Sequence, residues 1–383
     1  MKNLAIAALL GCLGGCAIAP VTAPPERLFV DARFAPPRER IGADDIFALN
    51  DAMRHYLHVE NARGLREDGP VRGLIHALSQ RGEIKLDYDA TMTRNAAQAF
   101  DARKGNCLSL VIMTAALARE LHLDVYYQEV ENETTWSRRG NVAFRNGHVN
   151  LTLGRRAVDT FRGYDPARLV TVDFLPAEEI AGQRTRPISE GRIVAMYMNN
   201  RAAEALADDR LDDAYWWARA ALLRDPAFSD AYNTLGVIYL RHGDSEEAAQ
   251  ALTYLLERDS SNAPALSNLL VVREREGRTA EANNLRARLA GLEPDPPYHY
   301  FFLGLAAMKK GDFAAAQQLF EREVDRAGYS GEFHYWLGIA HYKLGHAAAA
   351  RQQMAIAMQN SITESEYALY AGKFERLRSL GVQ

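Results

Sequence analysis

A cysteine thiol becomes a nucleophile when a base takes its proton and a third group holds that base in place. The chain offers one cysteine in a suitable setting. Cys107 follows Arg103-Lys104-Gly105-Asn106 and opens an apolar stretch. Leu108, Val111, Ile112, Ala115, Ala118 and Leu121 share one helical face, while Leu110, Met113, Ala116 and Leu117 cover much of the rest. This predicts a helix over 108–121 buried nearly all round. Gly105 permits a sharp turn, Asn106 is a good N-cap, and a thiol at that point feels unpaired backbone N–H groups and the positive helix end. All of these favour the thiolate, as do Arg103 and Lys104.

The base and the orienting acid come from the segment that follows, where the hydrophobic period changes from helical to two. Residues 124–130, 141–145, 148–153 and 157–161 read as strands. Residues 131–140, polar and holding Trp136, read as a hairpin loop or lid. A two-residue turn at Gly154-Arg155, glycine first, would pair 152 with 157 and 150 with 159. His148, Asn150 and Asp159 then share a face, with Asp159 opposite Asn150 and diagonal to His148. Asp165 and Asp173 are alternative orienting acids.

These stretches resemble the transglutaminase-like superfamily in its bacterial papain-like form. The resemblance is carried by Gly105-Asn106-Cys107-Leu108-Ser109, His148-Val149-Asn150 and Val158-Asp159, and spans residues 44–190. It implies an α+β domain in which Cys107 is the nucleophile, His148 the base and Asp159 the orienting acid. The implied reaction is hydrolysis or transfer at a peptide, isopeptide or other amide bond, without a cofactor or metal. A non-enzymatic assembly protein whose papain-like domain is a relic or binding surface is the competing reading. The two part on whether Cys107 is accessible and within reach of His148.

Helical patterns must position this strand-rich part. Ile46, Leu49, Met53 and Leu57 mark a helix over 44–63, a second runs from 71 to 81, residues 84–88 are extended, and Thr93 is placed to cap a third helix ending at Phe100. His55 and His58 sit three apart, but no third metal ligand stands near them.

Beyond residue 195 the pattern repeats. Ala214, Ala248, Ala282, Ala316 and Ala350 are spaced by 34 residues, and Gly236, Gly304 and Gly338 fall on the same grid, as do Pro226 and Pro294. This is the tetratricopeptide repeat period, in which small residues let paired helices touch. Five units over 195–364 form an all-α solenoid, closed by a capping helix over 365–383. Ala202 and Leu270 replace glycine in the first and third units. By resemblance to such arrays, Asn199, Asn233, Ser267, Phe301 and Tyr335, again 34 apart, face a concave groove that binds a protein or peptide partner.

The N-terminus pairs Lys2 with an apolar run and closes on Leu13-Gly14-Gly15-Cys16, which resembles a bacterial lipobox. Leu9-Leu10-Gly11-Cys12 also fits. The resemblance implies a signal peptide over 1–15 and lipid on Cys16. Ala17 in the next position points to the outer membrane, periplasmic side. A Pro-rich tether over 16–43 follows. With Cys12 removed and Cys16 acylated, Cys107 is the one thiol left, and no internal disulfide can form. The 383 residues, 48% hydrophobic and 25% charged with net charge −4, allow two or three domains and give no basic footprint for nucleic acid.

Overall fold

A computed structural model describes residues 23–78, 86–89, 92–139, 142–154, 169–174, 183–292, 295, 297–361 and 364–380. The first helices are shorter than their hydrophobic pattern. Asn50, not the aspartates before it, caps α1 (Asp51–His55) by accepting from Met53 N at 2.9 Å. A π-helical turn, Tyr56–Glu60, leads into α2 (Ala62–Glu67) and α3 (Gly69–Leu78). Ile46, Met53 and Leu57 still reach the core, because burial follows the apolar positions whichever turn carries them. The next helix, α4 (Ala96–Ala102), is capped by Asn95 in a reciprocal box with Gln98, so Thr93 is released for another role.

The strand β1 (Asp87–Tyr88) pairs in parallel with β2 (Lys104–Gly105), and α5 (Cys107–Glu120) follows at once. Every residue from Leu108 to Ala118 is buried, as the all-round apolar pattern requires. The main sheet has the order β5-β4-β3-β6, with β3 (Asp124–Arg139), β4 (Val142–Gly154), β5 (Val170–Val172) and β6 (Arg184–Ile188). Its Tyr127, Val149, Leu151 and Leu153 share a core with α5. The stretch expected as a polar loop over 131–140 is strand as far as Arg139: the hairpin continues as an arm, and the Trp136 N–H donates to Tyr329 Oη at 2.9 Å. The register slips between Val130 and Thr135, so the irregularity falls opposite Gly147. The strand expected over 157–161 lies outside the described residues.

Five antiparallel helix pairs come next: α6 (Glu190–Ala207) with α7 (Leu211–Arg224), α8 (Ser229–His242) with α9 (Ser245–Arg258), α10 (Ala263–Arg275) with α11 (Thr279–Leu292), α12 (His299–Lys310) with α13 (Phe313–Arg326), and α14 (Gly331–Lys343) with α15 (Ala347–Gln359). The last helix, α16 (Glu364–Leu380), packs on α15. The glycine grid marks close approach. A Cβ on Gly236 would lie 2.6 Å from Leu252, and one on Gly304 2.5 Å from Phe320. A second grid sits in the turns within each pair: Asp209, Gly243, Gly277, Gly311 and Gly345 all have positive φ at 34-residue intervals. Glycine adopts that left-handed conformation freely, and Asp is one of the few side chains that tolerate it.

Two expected boundaries change. No linker separates the sheet domain from the array, because α6 begins at Glu190 and its Ile193, Val194 and Met198 belong to the core of α5. Residues 24–39, expected within a free tether over 16–43, form a strap across α6 to α9. Leu28 and Phe34 are buried, and Phe34 stacks on Tyr215 with centroids 3.9 Å apart. Arg33 bridges to Asp244 and Glu247, while Glu39 receives Arg201, Arg210 and the Trp217 indole. Apolar anchors between the prolines hold the segment down. Residues 1–22, including Cys12 and Cys16, lie outside the described residues.

Candidate active site

The turn that carries Cys107 is built by sterics and a cap. The left-handed residue is Arg103, with φ 51°, at the end of α4, so Gly105 is not needed for its backbone angle. It is needed for space, since a Cβ there would lie 2.7 Å from Ser109 Cβ. The Asn106 side chain accepts from Ser109 N at 2.9 Å and from Ser109 Oγ at 2.8 Å, which caps α5 and places Cys107 in its first turn. Cys107 is half-buried, and its thiol points at the carbonyl oxygen of Gly147, 3.8 Å away.

Next to Gly147 on β4 stands His148, whose side chain is 7% exposed. Its Nε2 lies 2.8 Å from Asp173 Oδ1, and the Cys107 thiol is near enough to act on the titration of the ring. The Asn150 amide donates to Asp173 Oδ2 at 2.9 Å. Register explains the juxtaposition. Leu151 pairs with Val172 and Thr152 with Thr171, so Asp173 continues β5 to a point opposite Asn150 and diagonal to His148. The Thr152–Thr171 hydroxyl contact at 2.9 Å and the Gln128–Thr152 bond at 3.0 Å fasten the three strands next to it.

The carboxylate that meets His148 is thus Asp173. Asp159 lies outside the described residues, as does Asp165. The geometry expected of Asp159 is realised on β5, a strand that returns some fifteen residues after β4 rather than through a tight hairpin. Burial by itself would lower the His148 imidazole. Hydrogen bonds to Asp173 and Cys107, with the charges on both, outweigh it and push the ring up to about 10. His148 therefore carries its proton at neutral pH.

The expected groove residues divide. Phe301 is fully buried in the core of the fourth pair, and Tyr335 stacks on Tyr370 of α16 at 5.0 Å, so neither stands free for a peptide. Asn233 accepts from Asn268 Nδ2 at 2.9 Å, Ser267 is exposed, and Asn199 keeps a buried Oδ1 without a partner. His58 pairs with Glu120 at 3.1 Å. Among the described residues no cluster of three or more His, Cys, Asp or Glu could hold a metal ion, and no helix is long and apolar enough to cross a membrane.

Comparison with known proteins bears on the helical half. Family models described as tetratricopeptide repeat match residues 217–250 and 301–365. No curated protein matches the chain. Similar solved structures include one titled as the functional characterization of Pseudomonas aeruginosa pilF, 21% identical over 49% of this chain and 94% of that one, with a TM-score of 0.30. Another is a thermophilic TPR protein of Thermus thermophilus, 18% identical over 46% of this chain and 97% of that one, with a TM-score of 0.31. A third is the Cut9–Hcn1 hetero-tetramer of APC/C, 17% identical over 49% of this chain and 37% of that one, with a TM-score of 0.31. With the matched segments, the helix pairs and the 34-residue grids in hand, the C-terminal half of the chain is a tetratricopeptide repeat array.

Proposed function

We propose that the protein is a cysteine-dependent hydrolase of peptide, isopeptide or other amide bonds, of transglutaminase-like type, whose repeat array recruits a protein substrate or partner. We place it on the periplasmic side of the outer membrane, anchored by lipid on Cys16. The reading rests on one observation above all: His148 is hydrogen-bonded to Asp173 and stands close enough to the half-exposed Cys107 for the thiol to act on its ring. The adaptor reading requires a cysteine sealed away from any base, and this proximity argues against that.

In the reaction, the Cys107 sulfur adds to the acyl carbonyl. The Cys107 backbone N–H, at the unpaired start of α5, is a donor for the oxyanion. His148 then passes its proton to the departing amine as the C–N bond breaks, leaving a thioester. Water adds to the thioester with His148 as base, the C–S bond breaks, and the acid is released. An amine in place of water gives acyl transfer by the same steps. Asp173 keeps the ring oriented and stabilises its charge without accepting the proton.

The test is the rate at which a thiol-directed alkylating probe labels Cys107 in the full chain at pH 6 and pH 7.5. Labelling proceeds at both values in the native protein and falls about 100-fold in His148→Ala. Equal rates in the two proteins would remove the case for catalysis.

A further inference from the structure

The helix that opens the repeat array reaches into the construction of the nucleophile turn. Thr93 is 1% exposed and lies between the two. Its backbone N–H donates to Glu204 Oε1 of α6 at 2.6 Å. The Thr93 oxygen accepts from Asn200 Nδ2 of α6 at 3.1 Å and from Asn106 Nδ2 at 3.0 Å. Both acceptor positions of the hydroxyl are thus filled. Both ends of the Asn106 amide are then fixed, the nitrogen by Thr93 and the oxygen by Ser109. Arg94, the residue after Thr93, adds its backbone N–H to Ser109 Oγ at 2.8 Å. On the far side, Arg201 Nη1 holds the Glu204 carboxylate at 3.0 Å. An unbroken line of hydrogen bonds thus joins a repeat helix to the cap that precedes Cys107.

We propose that Thr93, Asn200 and Glu204 form a positioning unit for Cys107, so that the first tetratricopeptide helix belongs to the thiol machinery as well as to the array. This rests on the reading of Cys107 as the nucleophile. Glu204 takes the backbone N–H of Thr93 and so fixes where its hydroxyl sits. That hydroxyl then sets the plane of the Asn106 amide, and the cap sets the direction from which the Cys107 side chain leaves α5. Loss of the hydroxyl frees the Asn106 amide to turn, and the sulfur no longer meets the His148 ring squarely.

The experiment compares iodoacetamide alkylation of Cys107 between pH 5 and pH 9 in full-length native protein, Thr93→Val, Thr93→Ser, Asn200→Ala and His148→Ala. Thr93→Val keeps the shape of the side chain and removes only the hydroxyl. It is expected to slow alkylation about tenfold and to shift the pH–rate profile, since small displacements remote from the chemistry have effects of that order. Thr93→Ser restores rate and profile, and Asn200→Ala falls between. Native rate and profile in Thr93→Val, with His148→Ala still slow, would overturn the positioning unit and leave the catalytic pair standing. Unchanged labelling in His148→Ala would instead remove the catalytic reading beneath it. If Thr93→Val does not fold, Asn200→Ala decides by the same comparison: a slowed rate with a shifted profile supports the unit, and native behaviour overturns it.

Discussion

His148 sits between two partners of different kind, a carboxylate on a neighbouring strand and a thiol on a helix. Its raised pKa has a definite sign for stability. The contribution of the protonated ring is fully present below about pH 6.5, its ordinary value, and is lost as pH rises through about 10. Asp173→Asn removes the first of the hydrogen bonds that raise it. The expected result is a melting temperature lowered most below pH 6.5, with the difference from the native protein shrinking toward pH 10. Asp159→Asn is expected to leave the melting curve unchanged across that range. Thermal denaturation at several pH values checks both, and a loss confined to the Asp159 variant would reverse the assignment. The cysteine and the histidine were legible in the sequence because each stands in its own local pattern, a capped apolar helix and an alternating strand. Asp173 stood only as an alternative beside Asp165, because its place depends on which later strand returns to lie beside β4. Local spacing favours the nearest candidate, Asp159, which lies outside the described residues.

At the scale of elements, hydrophobic period did most of the work. It located α5, β3 as far as Val130, β4 and the repeat helices, whose partners are near in sequence, but not β5 or β6. It could not show that Glu190 begins a helix shared between two parts of the fold, since the apolar positions 193, 194 and 198 look alike whichever core receives them. It also missed that the hairpin arm continues past Val130, because polar strands resemble loops. The paired helices rest on close contact at the small-residue grid. Gly304→Ala places a methyl group 2.5 Å from the Phe320 ring. Alanine would gain up to about 1 kcal/mol in helix propensity, but forcing atoms into a packed core costs about 1–3 kcal/mol. Steric conflict therefore wins, and the variant is expected to unfold at lower denaturant concentration. A midpoint equal to or above that of the native protein would show that the α12–α13 contact yields easily.

On the scale of the whole molecule, one core runs from the strap through α5 and the sheet into the third helix pair, a second, smaller one fills the fourth pair and reaches α14, and a third joins α14, α15 and α16. Trp136 on the hairpin arm packs against the smaller core, so the hairpin that bears His148 near its base touches a distant repeat at its tip. The strap is an integral part of the larger core. Phe34→Ala removes a ring that is 6% exposed, and losses of this kind cost about 3–5 kcal/mol. It is expected to lower the melting temperature and to open the bonds after Arg33 and Arg38 to trypsin. A free tether would be cut equally well in native and variant protein.

The strap also fixes how far the body can stray from its anchor. With an acyl chain on Cys16, as proposed, the seven peptide links to Ala23 extend at most about 25 Å. From Pro24 onward the polypeptide is already committed to the flank of the array. The leash is therefore short. A protein so anchored would scan only a thin layer next to its own bilayer, and a bulky client would have to approach from the side that faces away from the lipid.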